Sequence, residues 1–328
     1  MSMTIGISIG DPNGIGPEVV LKTFSDLEML SFCKPVVYAH LDFVKQQAAH
    51  FNLQIPMEKM HDQPIQGVLN VVDCWAEPFQ PHYGKVDAKA GELSLTSLMA
   101  ATADLQKGNS NALVTAPIHK AAIQSDDFSF PGHTDYLAQA LDGDALMFLV
   151  HTDLRVALVT DHVAVKDIAQ HITADRVTQK LNAVAHSLQQ DFAISNPRIA
   201  VLGLNPHAGD EGVIGKEEVN LLEPLLQTHQ IDKTEISGPF SADAFFGSQS
   251  YKNYDVVLAM YHDQGLIPFK TLSFGEGVNF TAGLSAVRTS PDHGTAFGIA
   301  GTGQANPQSF RQAVQTAIEV VKRRNVSI

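Results

Sequence analysis

Apolar residues in this chain come in short runs rich in valine, isoleucine and leucine. They are separated by longer stretches in which apolar positions recur every three or four residues. The short runs predict strands at 4–10 (TIGISIG), 35–39 (PVVYA), 111–116 (NALVTA), 154–160 (LRVALVT), 198–204 (RIAVLGL) and 255–261 (DVVLAMY). Helical spacing predicts helices over 17–30, 91–107, 173–191, 215–229 and 308–323. In the third of these, Val177, Leu181, Val184 and Leu188 share a face and Thr173 is the expected N-cap. The helix from 91 follows Gly91 and stops at Gly108. Strands alternating with helices predict an α/β fold with a largely parallel sheet covered on both faces. No repeat, low-complexity tract or linker marks a domain boundary.

Three of the predicted strands break abruptly into polar residues. LRVALVT is followed by Asp161-His162, RIAVLGL by Asn205-Pro206-His207, and DVVLAMY by His262-Asp263. Ligands of open α/β sheets bind beyond the carboxyl ends of the strands, so each histidine is expected on the active edge. Three imidazoles drawn from three strand ends have the chemistry to converge on one divalent cation and leave positions open for substrate oxygens. The chain holds 14 histidines, and a lone one near a strand end is more often a satisfied polar residue. No HExxH or CxxC spacing adds to the signal.

Composition narrows the class. A chain of 328 residues, 44% hydrophobic and 17% charged, suits a soluble protein with two α/β lobes. Its net charge of −13, from 22 basic and 35 acidic residues, argues against a nucleic-acid or membrane-surface binder. Cys33 and Cys74 form no metal-spaced pair and fit a reducing cytoplasm as small buried thiols. The start MSMTIGISIGDPNG lacks the features of a signal peptide, and the longest apolar stretch is broken by His151, Asp153 and Arg155. The expectation is a cytoplasmic protein.

Other segments carry further chemistry. GDPNGIGPE, residues 10–18, has glycines suited to a tight turn and Pro17 at a first helical position, but it is not a GxGxxG fingerprint. It fits a plain strand–helix connector and an anion or cofactor contact equally. In FPGHTDYLAQAL, residues 130–141, His133 and Thr134 open a helical pattern. Thr134 there is either an N-cap alone or part of an anion site at the helix start. Lys270, Asn279 and Arg288 are polar groups set among glycine, proline and apolar residues, a setting more suggestive of anion recognition than a solvated charge run.

Together GDPNGIGPE, TAPIHK, FPGHTDYLA, NPHAGDEGVIGKEE, YHDQGLIPFK and RTSPDHGTAFGIAGTGQANP resemble the 4-hydroxythreonine-4-phosphate dehydrogenase family. The matches run in order from residue 10 to residue 307. The resemblance implies two α/β/α domains of the isocitrate and isopropylmalate dehydrogenase-like fold, with largely parallel sheets and a cleft between the domains. One domain is expected over 1–130 plus 275–328, on the cofactor side, and the other over 131–274, with the metal ligands and the dimer interface. A homodimer is implied, its active site shared across the interface. The implied metal ligands are His162, His207 and His262, the last from the partner subunit, holding zinc, cobalt or magnesium. Implied substrate contacts are His133, Thr134, Lys270, Asn279 and Arg288, and Asp243 and Lys270 are the implied catalytic groups. Asp243, Asp263 and a bound hydroxide all stand as candidates for the general base.

The implied reaction is oxidation of 4-phosphooxy-L-threonine at C3 by NAD, with NADP as the other nicotinamide acceptor, followed by decarboxylation to 3-amino-2-oxopropyl phosphate in pyridoxal 5′-phosphate biosynthesis. Gly294, Thr295 and Gly301 fall in the segment resembling the loop that binds the adenine end of the cofactor. Many relatives carry an acidic residue where this chain has Gly298. The rivals are a sister dehydrogenase acting on 4-phospho-D-threonate or 4-phospho-D-erythronate, and a phosphate acyltransferase of similar architecture that needs no metal. A binding protein on the same scaffold is the remaining class. Neither nucleic acid nor membrane is expected as a partner.

Overall fold

The computed structural model describes residues 2–124 and 133–326, with 133–135 described for the backbone alone. In chain order the first five strands are β1 (Met3–Ser8), β2 (Cys33–Ala39), β3 (Met57–Lys59), β4 (Leu69–Asp73) and β5 (Ala112–Thr115). The next four are β6 (Gly143–Val150), β7 (Arg155–Leu158), β8 (Arg198–Leu202) and β9 (Glu235–Phe240). The last three are β10 (Val256–Ala259), β11 (Val278–Leu284) and β12 (Val287–Pro291). The described chain forms two compact units, Met1–Ala145 with Leu284–Lys322, and Leu146–Gly283 with Arg323–Ile328. The expected boundaries at 130/131 and 274/275 fall elsewhere. The observed divisions lie at or inside strands β6 and β11, where no turn chemistry marks a boundary in the sequence.

In the first unit the strand order is β3-β4-β2-β1-β5-β12, and each pairing is parallel. The chain starts in the middle of this sheet at β1, winds outward through β2 and β4, then returns to place β5 on the other side of β1. That reversal makes the carboxyl ends of β1 and β5 a topological switch point, where open α/β sheets bind ligands. β1 is inaccessible on both faces from Ile5 to Ser8, which is why its run reads as continuous rather than alternating. The helix Ala88–Gln106 buries Leu98, Ala101 and Leu105 against Val36, Tyr38 and Leu113. Its Ser97 hydroxyl donates to the Tyr38 carbonyl at 2.6 Å and accepts from the Ile9 N–H at 3.0 Å, tying the ends of β1 and β2 together.

That helix begins three residues before Gly91, capped by Asp87, whose carboxylate accepts from the Ala90 N–H at 2.9 Å. Gly91 is therefore interior. A Cβ there would collide with the Ala122 carbonyl, so the glycine serves a close approach, not a helix start. The helix expected over 17–30 ends at Phe24, and Met29–Phe32 forms a separate turn. Cys33 and Cys74 are free thiols, both pushed up to about 12 by burial.

In the second unit the order is β11-β6-β7-β10-β8-β9, with β7, β10, β8 and β9 parallel and β6 antiparallel to β7. Val257, Leu258 and Ala259 lie opposite Val156, Ala157 and Leu158, while Val256, Val257 and Leu258 lie opposite Ile199, Ala200 and Val201. The helix Ala174–Gln190 buries Val177, Leu181, Val184 and Leu188, and the Thr173 hydroxyl accepts from the Arg176 N–H, as the spacing predicts. The helix His262–Ser273 packs so closely on β7 that a Cβ at Gly265 would come within 2.8 Å of Leu158 and Val156. Residues 215–229 do not form one helix: a π-helical turn, Glu218–Leu222, precedes an α-helix, Glu223–Thr228. No described helix is long and apolar enough to cross a membrane.

Leu181 is fully buried in the Ala174–Gln190 helix. Leu181→Ala is expected to cost about 2–5 kcal/mol from lost transfer energy and a residual cavity. The check is a lower urea midpoint with an unchanged m-value.

Candidate active site

Parallel pairing of β7, β10 and β8 brings three strand ends to one sheet edge, and each end leads into one of the three histidines. The pairing runs past the strands proper: the Val159 and Thr160 N–H groups donate to the Ala259 and Met260 carbonyls, and the Thr160 hydroxyl donates to Met260 at 2.7 Å. Gln264 braces the next gap. Its amide donates to the Gly203 carbonyl at 2.7 Å and its carbonyl accepts from the Met260 N–H at 2.7 Å, joining the ends of β8 and β10.

The rings of His162 and His262 meet within one chain, with centroids 6.0 Å apart and planes tilted by 39°. His262 opens its helix and holds Asp263 Oδ1 against Nδ1 at 2.7 Å, which fixes the ring and leaves Nε2 for a ligand. His162 is more open: its side chain is 61% exposed, and Asp161 Oδ2 lies 3.9 Å from Nδ1. Two imidazoles bonded to one zinc or cobalt ion at about 2.0–2.1 Å place their ring centres roughly 5–6 Å apart. The observed pair fits that geometry. His207 does not join it, and among the described residues no three histidine, cysteine or acidic side chains stand close enough to hold an ion.

His207 starts a five-residue left-handed turn. His207, Ala208, Gly209, Asp210 and Glu211 all have φ between 46° and 82°. For the four non-glycine residues this conformation costs about 1–2 kcal/mol each. Glu218, fully buried, braces the segment that leads into the turn: Oε1 accepts from the Leu204 and Asn205 N–H groups at 2.7 and 2.8 Å, and Oε2 accepts from Asn205 Nδ2 at 2.9 Å. Asp243, on the helix Ala242–Gly247, accepts from the Ser241 hydroxyl at 2.6 Å. That bond, the Ala244 N–H and nearby His207 hold its carboxyl below the usual carboxylate range. Lys270 is exposed two turns along the helix from His262, and Asn279 is half-buried in β11.

In the first unit the motifs at the switch point are pinned together. The Gly14–Ile15 turn reaches the Thr295 carbonyl, which accepts from the Ile15 N–H at 3.0 Å. Glu18 is buried, and its Oε1 accepts from Lys22 Nζ at 2.7 Å and the Ala305 N–H at 2.8 Å. Lys22 also donates to the Gly303 and Ala305 carbonyls. The GIGPE segment thus anchors the GTGQANP loop, a role that glycine spacing alone does not disclose. Gly301 has φ +74 and abuts the Tyr83 ring, and its carbonyl meets His50 Nε2 at 2.8 Å, whereas Gly294 is exposed. Arg288 is buried in β12. Its Nη2 donates to the Thr115 hydroxyl at 2.6 Å, and burial lowers the guanidinium to about 10, so it stays charged at neutral pH. His133 and Thr134 open the helix His133–Ala140, but their side chains lie outside the described residues.

Sequence reasoning missed two groups at this switch point. Asp11 is fully buried, and its Oδ2 has no hydrogen-bond partner among the described residues. Burial raises its carboxyl above the usual range, against the lowering effects of the Asn13 N–H and His119. His119 stacks on Phe297 with centroids 5.1 Å apart and planes 9° from parallel. Both residues stand in quoted motifs, GDPNG and TAPIHK, and a polar residue directly after a buried strand was the available signal.

Residues 31–317 match the family described as pyridoxal phosphate biosynthetic protein PdxA. A 4-hydroxythreonine-4-phosphate dehydrogenase of Bacteroides thetaiotaomicron is 45% identical, across 98% of this chain and 89% of that protein. A D-threonate 4-phosphate dehydrogenase of Pectobacterium atrosepticum is 37% identical, across 98% of this chain and all of that protein (100%). The crystal structure of a 4-hydroxythreonine-4-phosphate dehydrogenase from Klebsiella pneumoniae superposes with a TM-score of 0.84 at 33% identity, covering 98% of each chain.

The pinned switch point has a measurable consequence. Gly10 has φ +75, and a Cβ there would lie 2.5 Å from the Pro117 carbonyl. Gly10→Ala is expected to destabilise the protein by roughly 2–5 kcal/mol, from the left-handed penalty and overpacking. Gly294→Ala, in open space, should stay within about 0.5 kcal/mol of the parent in the same denaturation experiment.

Proposed function

The chain belongs to the PdxA family, whose relatives are named dehydrogenases, and on that premise we propose that it oxidises 4-phosphooxy-L-threonine at C3 in pyridoxal 5′-phosphate biosynthesis. A dehydrogenase requires a nicotinamide cofactor, and NAD is the proposed acceptor. One divalent cation is proposed, held by His162, His207 and His262. The observation that carries this reading is the parallel register of β7, β10 and β8, whose carboxyl ends lie on one edge and each lead into one of the three histidines.

A cation bound to these imidazoles supplies Lewis acidity, which lowers the pKa of a chelated substrate hydroxyl. A nicotinamide held by the loop that carries Gly294, Thr295 and Gly301 would supply the hydride acceptor for C3. The chain's residues bind and hold protons. Asp243, Asp263 and a bound hydroxide are the candidates to take the C3 hydroxyl proton. The hydrogen bonds from Ser241 and the Ala244 N–H that hold the Asp243 carboxyl low keep it ionised but weaken it as a base. Arg288 and Lys270, with the N–H groups that open the His133–Ala140 helix, offer positive charge for the substrate's phosphate and carboxylate. Asn279 adds a polar contact in the same role. Gly294, Thr295 and Gly301 lie in the loop proposed to hold the adenine end. The oxidised product is a β-keto acid. Loss of its carboxylate as carbon dioxide leaves 3-amino-2-oxopropyl phosphate.

A second reading, oxidation of 4-phospho-D-threonate, is favoured by the Pectobacterium atrosepticum relative. It uses the same cation and anion contacts and differs in the substituent at C2. Reduced-cofactor formation with each substrate decides between them: the proposal expects the L-amino acid phosphate to give the higher kcat/KM. Chelation should abolish that activity, and zinc or cobalt should restore it. His207→Ala should lower kcat/KM at least about 100-fold while leaving the fold intact, in keeping with loss of a ligand to a catalytic ion. An acyltransferase would ignore the chelator.

The proposed site draws His262 from the partner subunit. Mixing inactive His162→Ala and His262→Ala subunits should then recover part of the activity, because one site in each mixed dimer keeps all three imidazoles. The close pair within one chain favours the contrary arrangement, an ion held by a single protomer. That arrangement forecasts no recovery after verified subunit exchange.

A further inference from the structure

We propose that Glu218 is a positioning residue, which holds the left-handed turn 207–211 and thereby fixes the His207 imidazole for metal binding; this inference rests on the metal reading above. Glu218 has no surface of its own and reaches no substrate. Both its oxygens are committed to the segment that leads into His207. Oε1 takes the consecutive N–H groups of Leu204 and Asn205, the two residues where the chain leaves β8. Oε2 takes Asn205 Nδ2, which also donates to Glu217 Oε2 at 2.8 Å. The Asn205 carbonyl in turn accepts from the Ala208 N–H at 3.1 Å, inside the turn.

The fit on the far side is equally close. A Cβ at Gly209 would lie 2.6 Å from Glu218 Oε2 and 3.0 Å from the Gly215 carbonyl. A Cβ at Gly203 would come within 3.1 Å of Glu218 Oε1 and 2.9 Å of Ala208 Cα. The turn therefore wraps the carboxylate, whose hydrogen bonds hold residues 204 and 205 at the entry to the left-handed run, while the Asn205 carbonyl passes that hold to Ala208. The carboxylate is placed by a π-helical turn, Glu218–Leu222, a local departure that brings it under the strand end. Five successive positions beyond Pro206, four of them non-glycine, adopt this left-handed conformation, and His207 is the first of them.

If Glu218 acts through His207, its effect on metal binding must vanish once His207 is gone. The test is zinc affinity of the full chain, measured by competition with a chromophoric chelator, in a double-mutant cycle. Glu218→Gln, which sets an amide N–H₂ against the Asn205 donors, is expected to weaken zinc binding about 10- to 100-fold. His207→Ala should weaken it at least as much. The double variant should bind no more weakly than His207→Ala alone, within about twofold, the coupling expected of residues acting as one unit. Cobalt(II) absorption of Glu218→Gln should match that of His207→Ala rather than the parent, reporting a lost imidazole.

Unchanged zinc affinity in Glu218→Gln overturns the proposal. So does an equal further loss in the His207→Ala background, which would mark a general structural role. Asn205→Ala, at a half-buried site, leaves both backbone N–H donors to Glu218 in use and carries the same cycle should Glu218→Gln fail to fold. Zinc affinity unchanged in His207→Ala alone would instead refute the metal reading, and the inference with it.

Discussion

The parallel pairing of β10 with both β7 and β8 is the constraint on which the second unit's chemistry depends. Parallel strands end on the same side, so residues that follow them are gathered whatever their separation in sequence. Here positions 162, 207 and 262 are delivered to one edge by three adjacent strands. Neighbouring strands lie about 4.8 Å apart, and the His162 and His262 rings from two adjoining ends meet with centroids 6.0 Å apart, whereas His207 does not join them. The Thr160–Met260 and Gln264–Gly203 hydrogen bonds carry the pairing one step beyond the regular ladder, where fraying would otherwise separate the ends. Gly265 lets the following helix press directly on β7, holding His262 at its first turn.

Each unit uses one buried glutamate for a comparable task. Glu18 gathers Lys22 and the Ala305 N–H and so fixes the loop after Gly301, and Glu218 gathers Leu204 and Asn205 and so fixes the turn after Pro206. A buried carboxylate is tolerable only when hydrogen bonds or an opposite charge replace its water. The two sites differ in that replacement. Glu18 has an ammonium group, whereas Glu218 relies on neutral N–H donors and on the tightness of the turn around it. In both cases the energy of a desolvated charge is converted into a single conformation for a glycine-containing segment at a strand's carboxyl end.

Much of this was legible in the sequence, and the illegible parts have physical reasons. All six strands expected from apolar runs are present; five are shorter than their runs, whereas β2 begins two residues before its run, at Cys33. Of the strands overlooked, β3 and β9 are short or half-exposed, whereas β4, β6, β11 and β12 are largely buried and were passed over despite their apolar character. The 173–191 helix was readable because one face is fully buried and its cap is a threonine. The segment 215–229 is helical over Glu218–Thr228 but opens with a π-helical turn, which a search for 3.6-residue periodicity does not disclose. The three histidines were visible as polar breaks after buried strands. Glu18 and Glu218 were not, since a glutamate in a helical segment reads as solvent-facing until its partners, 287 and 14 residues away, are known.

Charge sets a final condition on the proposed substrate. With a net charge of −13 the chain's long-range field opposes an anion carrying both phosphate and carboxylate. Recognition must therefore come from a few cations acting at short range, where the surroundings are dry and screening by salt is weak. Arg288 meets that description: it is fully buried, its guanidinium is lowered only to about 10, and Thr115 orients one edge of it. A lysine in its place would give up the planar, several-donor geometry that matches phosphate and carboxylate oxygens. The acidic balance of the whole molecule and the desolvated arginine are thus complementary. The first disfavours indiscriminate anion binding at the surface, and the second concentrates attraction where a doubly charged small molecule is proposed to sit.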